Sequence, residues 1–197
     1  MIMVYGQLQE SMEKIYFMKN CFLVSMFLLA NTFIIAQPSG PKDVVNSLIQ
    51  ALSQKEPSIH WIDVEGLSQR CLGNHVSNLS EAQVGKFKTL LETLFQEVAF
   101  PKSADFFKDL EIEFLGENIN ENLAIISTSL FHPDEGLIDI DYRLERVQNS
   151  WLIVDVSLDG VSLARNIQNQ VRKIMDKEGF EELIIRMNKK IENKSGV

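Results

Sequence analysis

Cysteine is almost missing from this chain: Cys21 and Cys71 are its only two. Cys21 falls within an apolar N-terminal run, so Cys71 has no partner in the remainder and a structural disulfide is excluded there. A lone Cys is more often buried filler than a nucleophile, and Gln69-Arg70-Cys71-Leu72-Gly73 matches no nucleophile motif. Histidine is nearly as scarce. His60, His75 and His132 lie far apart, none at three or four residues from another His, and the single Cys71-His75 spacing has no second pair to complete a zinc set, which points to loop or helix-end positions. Basic charge is also short: 19 Lys and Arg against 27 Asp and Glu give −8 at pH 7 and a pI near 4.9. That balance repels a polyanion, so no nucleic-acid partner is expected. With 5 Pro and 10 Gly, the chain is neither fibrous nor built for disorder. Nucleotide-binding glycine loops, a Walker motif and a G-x-S-x-G elbow are all missing, so no cofactor is implied. Asp139, Asp141, Asp155 and Asp159 lack calcium-loop spacing. The first two read as solvated residues on a strand face, and Asp155, between Val154 and Val156, as partly buried.

What is present suits one folded domain: 197 residues, 45% hydrophobic and 23% charged. Lys14 and Lys19 precede CFLVSMFLLANTFIIA, which stops at Ala36 ahead of Gln37-Pro38-Ser39-Gly40. A positive start, an apolar stretch and a small residue at the exit are the order of a secretory signal. Asn31 and Thr32 interrupt the run, which falls short of the roughly 20 apolar residues of a membrane span. The expected organisation is a signal peptide over 1–36, a domain over 37–191 and a polar tail over 192–197, in a protein exported to the periplasm.

Within the domain, PKDVVNSLIQALSQK places Val44, Val45, Leu48, Ile49 and Leu52 on one helical face. A short helix ending at Gly73 follows. Ser80 and Gln83 then form a capping box ahead of Val84, Phe87, Leu91, Leu94, Phe95 and Val98, read as the longest amphipathic helix. SADFFKDL adds a helical turn. The period then changes: two β-type runs flank 116–122, a polar Asn-rich stretch suited to a hairpin loop. Ile138, Ile140, Tyr142 and Leu144 alternate with Asp139, Asp141, Arg143 and Glu145, one dry face against one wet face. WLIVDVSLDG sets Leu152, Val154, Val156 and Leu158 against Trp151 and Ile153, apolar on both faces, so it reads as an interior strand. Ser162 caps a helix carrying Leu163, Ile167, Val171, Ile174 and Met175; Gly179 ends it and FEELIIRMNKKI starts another. The fold class is α+β: N-terminal helices, a central four-stranded antiparallel twisted sheet and C-terminal helices.

A curved sheet against helices encloses a pocket in some small isomerases and dehydratases. In that reading Asp155 serves as base and Tyr142 as donor on an apolar substrate. A plain interaction module is a third class.

One stretch carries a resemblance. The pattern W-x-x-x-D-V-x-x-x-G-V-S-L-x-x-N, formed by Trp151, Asp155, Val156, Gly160, Val161, Ser162, Leu163 and Asn166, closely resembles the MlaC family of periplasmic phospholipid carriers, also called toluene-tolerance auxiliary components of ABC transporters. Lys177-Glu178-Gly179 and ELIIRMNKK resemble the family's ending; Gln69 to Gly73 and LSEAQVGKF resemble its first helices. The likeness runs from Pro41 to Ile191. It departs from the family at Asn166-Ile167-Gln168, where an aromatic and a cation are usual, and at His75-Val76, where a Trp is frequent.

The resemblance implies a carrier and no enzyme. Such a protein ferries one phospholipid between an outer-membrane lipoprotein complex and an inner-membrane ABC transporter, with the tails buried in an apolar pocket between sheet and helices. The lining it suggests is Phe87, Leu91, Leu94 and Phe95 from the long helix; Ile126, Ile138, Ile140, Tyr142, Leu152 and Val154 from the sheet; and Val161, Leu163, Ile167 and Val171 after the turn. Catalytic and metal residues are expected to be none.

Overall fold

The computed structural model describes residues 40–193; the signal-peptide reading, Cys21 and the last four residues of the tail lie outside them. Four helical segments come first: α1 (Pro41–Ser53), α2 (Val64–Leu72), α3 (Glu81–Leu94) and α4 (Phe100–Phe106). The sheet follows as β1 (Ile112–Asn120), β2 (Leu123–His132), β3 (Gly136–Val147), β4 (Ser150–Leu158) and the two-residue β5 (Val161–Ser162), all antiparallel neighbours in chain order. Helix α5 (Leu163–Glu192) closes the fold. The α+β class is as the sequence implies.

Five strands stand where four are expected. The fifth arises because Asp159 and Gly160 adopt φ 48° and 77°, the left-handed pair that turns a hairpin in two residues, so Val161 and Ser162 pair back on Leu158 and Ser157. The hairpin between β1 and β2 is also tighter than its composition suggests. Pairing continues to Asn120 opposite Leu123, leaving only Glu121 and Asn122 in the turn. Polar residues fit this strand because Gly116–Asn120 are exposed, so a wet edge strand and a loop look alike in composition.

A bulge re-phases β4. Arg143 faces Asp155 but Leu144 faces Ile153, so Val154 is inserted without a partner. Trp151 and Ile153 thereby join Val156 and Leu158 on the inner face, in place of the unbroken alternation read from sequence. Nor is β4 interior by strand pairing alone. Beyond Ser157 and Leu158 its outer edge is covered by a bridge from Ile62 to Ile153 and by the Asp63 N–H donating to the Ile153 carbonyl at 3.0 Å. Arg70 reaches the Val154 carbonyl at 3.4 Å.

The core has two parts. Val44, Val45 and Leu48 of α1 pack on Ala124, Ile126, Leu130, Ile138, Ile140, Tyr142 and Leu144, which explains the alternation along β3. The second part joins α2, α3 and α5 through Leu67, Cys71, Leu72, Phe87, Leu91, Val171, Met175, Leu183 and Met187. Ile62 touches both. The α2 start is tight: Asp63 accepts the Gly66 N–H at 2.9 Å, and a Cβ on residue 66 would meet Asp63 Oδ2 at 2.0 Å.

The longest helix is α5, not α3. Helix α3 gives way at Leu94 to a π-turn over Phe95–Ala99 that runs into α4. Pro101 supplies the reason: it lacks an N–H and its ring crowds the carbonyl four residues back, so the hydrogen-bond ladder widens just before it. Helix α5 spans Gly179 at φ 83° and ψ −179°, a backbone state essentially confined to glycine. The break expected at Gly179 is therefore present, as a sharp kink between two arms of one continuous element.

Candidate ligand-binding site

A cavity of about 540 Å³ lies in the helical half of the core. Helix α3 supplies Phe87, Leu91 and Leu94; the π-turn supplies Phe95, Val98 and Ala99; α4 supplies Lys102. Both arms of α5 form the remaining wall, Ile167, Gln170, Val171 and Ile174 before the kink and Leu183, Arg186, Met187 and Lys190 after it. The Gly179 kink makes this possible. In an unbroken helix Ile167 and Lys190 would stand about 35 Å apart, too far to share one cavity.

Of the residues the sequence reading proposed as lining, the structure brings together Phe87, Leu91, Leu94, Phe95, Ile167 and Val171. The others are placed elsewhere. Ile126, Ile138 and Ile140 are buried against α1. Tyr142 opens onto a different cavity of about 410 Å³, with Ile49, Leu52, Phe107 and Leu110. Val154 is buried at the β4 bulge and Leu152 is half-buried. Val161 and Leu163 are 60% and 39% exposed, a consequence of the β5 turn carrying them to the surface. The reading missed Leu183, Met187 and Lys190, although their spacing of four and three is a helical stripe visible in the sequence.

A third cavity of about 390 Å³ borders the 410 Å³ one at Leu52, Lys55 and Ala104, and takes Gln96, Phe100 and Pro101 from the opposite side of the segment that walls the helical cavity. The π-turn and α4 therefore act as a partition, with the Phe95 and Phe100 rings 5.7 Å apart.

Asp155 and Tyr142 are not brought together at these cavities. Asp155 accepts the Ser162 hydroxyl at 2.6 Å and the Ala164 N–H at 2.9 Å, so both of its oxygens are committed to the start of α5. Tyr142 faces α1, whereas Asp155 pairs with Arg143 and so points from the other sheet face. The base and donor of the pocket-enzyme reading are thus separated by the sheet itself. Burial pushes the Tyr142 hydroxyl up to about 12 despite its hydrogen bond with Thr128, and pushes the Cys71 thiol up to about 11 against the pull of Arg70. Both groups are core residues that keep their protons.

The histidines are engaged in local contacts: His75 Nε2 lies 2.9 Å from Asp176 Oδ1, His132 stacks on Phe106 and accepts two turn N–H groups, and His60 lies against Trp61. Asp141 accepts the Ser127 hydroxyl at 2.6 Å. Among the described residues no group of three or more His, Cys, Asp or Glu is placed to hold a metal, and no helix is long and apolar enough to cross a membrane.

The phospholipid-binding protein from Ralstonia solanacearum, solved in complex with a phospholipid, shares this fold with a TM-score of 0.61, covering 80% of this chain and 89% of its own at 16% identity. A putative NTF2-like transpeptidase from Campylobacter jejuni has a TM-score of 0.40 at 15% identity, over 59% of this chain and 98% of its own. No curated protein is similar enough in sequence to count as a match. The family described as MlaC protein matches residues 42–189, nearly the whole described domain. With that match over the described helices and sheet, the chain belongs to the MlaC family.

Proposed function

We propose that this protein is a periplasmic phospholipid carrier, the soluble shuttle between an outer-membrane lipoprotein complex and an inner-membrane ABC transporter. The observation that carries the reading is a largely apolar cavity of about 540 Å³ in a chain of the MlaC family. The Ralstonia neighbour, which holds a phospholipid, supports the choice of ligand.

The physics favours a carrier of this kind. Two acyl chains hold roughly 30 methylenes, and at about 0.8 kcal/mol each a phospholipid free in water is more than about 20 kcal/mol worse off than in a membrane. A carrier needs only to replace that apolar environment, and no group on it has to react. Allowing roughly 30 Å³ for each non-hydrogen atom, the share of a water in the liquid, the helical cavity takes about one chain. The second chain then lies beyond the α4 partition, in the cavities bordered by Leu52 and Phe100. Release requires a docked state with weaker lipid affinity, because a ligand held this strongly would otherwise not leave.

The test is mass spectrometry of an organic extract of the protein, purified from a bacterial periplasm without detergent. Near-stoichiometric phospholipid is the expected result. If none is extracted, and added lipid neither binds nor raises the melting temperature as a native-state ligand must, the carrier reading is wrong.

A further inference from the structure

The chain has a net charge of −8, yet the residues walling the helical cavity include Lys102, Arg186 and Lys190 and no carboxylate. Arg186 is already occupied, donating to Glu182 at 2.8 Å and to Glu178. Lys102 and Lys190 form no ion pair among the described residues. They come from different elements, Lys102 from α4 and Lys190 from the second arm of α5, and both are exposed residues that line a largely apolar space. Long cationic side chains in such a place lay their methylenes along the apolar wall and keep the ammonium in water. The result is a largely apolar cavity whose wall carries two positive charges that form no ion pair among the described residues.

From this juxtaposition we infer that Lys102 and Lys190 hold the phosphate of an anionic head group, so that the carrier prefers a lipid with net negative charge, of the phosphatidylglycerol type, over a zwitterionic one. The inference rests on the carrier reading and adds a selectivity to it. The lysines supply point charges without the planar fork that would fix one head-group geometry, so the preference follows charge and not head-group shape. Exposed pairs of this kind are individually weak, and two of them amount to about three- to tenfold in affinity, screened by salt.

Fluorescently labelled phosphatidylglycerol and phosphatidylcholine with identical chains are titrated into the delipidated protein, prepared from cells expressing the full chain, at low and high salt. The same is done with Lys102→Glu/Lys190→Glu, whose fold is checked by its melting curve. Phosphatidylglycerol should bind about three- to tenfold more tightly than phosphatidylcholine at low salt, with the ratio of the two affinities falling to about one at high salt and in the double variant. Equal affinities, or a preference that survives the charge reversal, overturn the inference and leave the carrier reading intact, since phosphatidylcholine still binds. Competition by inorganic phosphate as strong as by the lipid would assign the lysines to free phosphate and also overturn it. Failure of both lipids to bind removes the carrier reading together with the inference.

Discussion

Asp155 and Ser162 are joined by a hydrogen bond of 2.6 Å from the Ser162 hydroxyl to Asp155 Oδ2, and the same serine oxygen accepts the Arg165 N–H at 3.0 Å. Asp155 Oδ1 takes the Ala164 N–H as well. One strand residue thus orients the cap of the helix that follows it, across the Asp159-Gly160 turn. The D-V-x-x-x-G-V-S-L run is explained by this arrangement: an acceptor on β4, a two-residue turn and a capping serine that satisfies orphan amides at the head of α5.

Removing the pair tests that role. Ser162→Ala should cost about 1 kcal/mol. Asp155→Ala should cost about 1.5–3 kcal/mol, because a charge-assisted acceptor is lost and the Ala164 amide is left unpaired. The double variant should lose less than the sum, since the two act as one unit. Urea denaturation of the three variants measures all of this. Additive losses would show that the residues act separately.

Gly179→Ala forces an L side chain into a backbone state that only glycine adopts readily, at a cost of about 1–3 kcal/mol. Nothing lies within 4 Å of the added Cβ, so the cost is backbone strain and not a clash. If the chain relieves it by straightening α5, Leu183, Met187 and Lys190 leave the cavity wall and lipid uptake falls along with stability. Denaturation and lipid titration on the same sample separate the two effects.

Bulk added to the cavity should cost binding and spare the fold. Ala99→Phe with Ile174→Trp enlarges facing walls of the 540 Å³ space. Stability should stay within about 1 kcal/mol or rise, as filling an existing void does, while lipid affinity drops at least about tenfold. A variant that binds lipid like the parent would place the acyl chains elsewhere.

Alkaline stability carries a signature of the buried Cys71 and Tyr142. Their folded values, about 11 and about 12, stand above the ordinary 9.0 and 10.0, so the folded chain keeps protons that the unfolded chain has released. Stability is therefore level below pH 9 and falls as pH rises, first through the thiol and from pH 10 through the phenol, by about 1.4 kcal/mol per pH step for each group. Tyr142→Phe should make the decline shallower above pH 10. An unchanged slope in denaturation curves across that window would mean that Tyr142 is not desolvated.

Local chemistry accounts for what the sequence by itself determined. The capping box at Ser80 and Gln83, the cap at Ser162, the break at Gly179 and the alternation from Ile138 to Leu144 are set by neighbours a few residues apart, and each was legible without a tertiary contact. The α+β order and the membership of the family follow from the same signals. Tertiary structure alone decided which apolar stripes became core and which became cavity wall. Ile126 and Ile140 look no different in sequence from Leu91 and Val171, but the first two are covered by α1, whereas the kink at Gly179 holds both arms of α5 around a space that no side chain fills. The bulge at Val154 shifts the facing of β4 by one residue, and the turn at Gly160 carries Val161 and Leu163 outward. Lys102 and Lys190 line one cavity although 88 residues separate them in the chain, which no local pattern foretells. Hydrophobic periodicity says which face of an element avoids water; it does not say whether another protein atom or a ligand will cover that face.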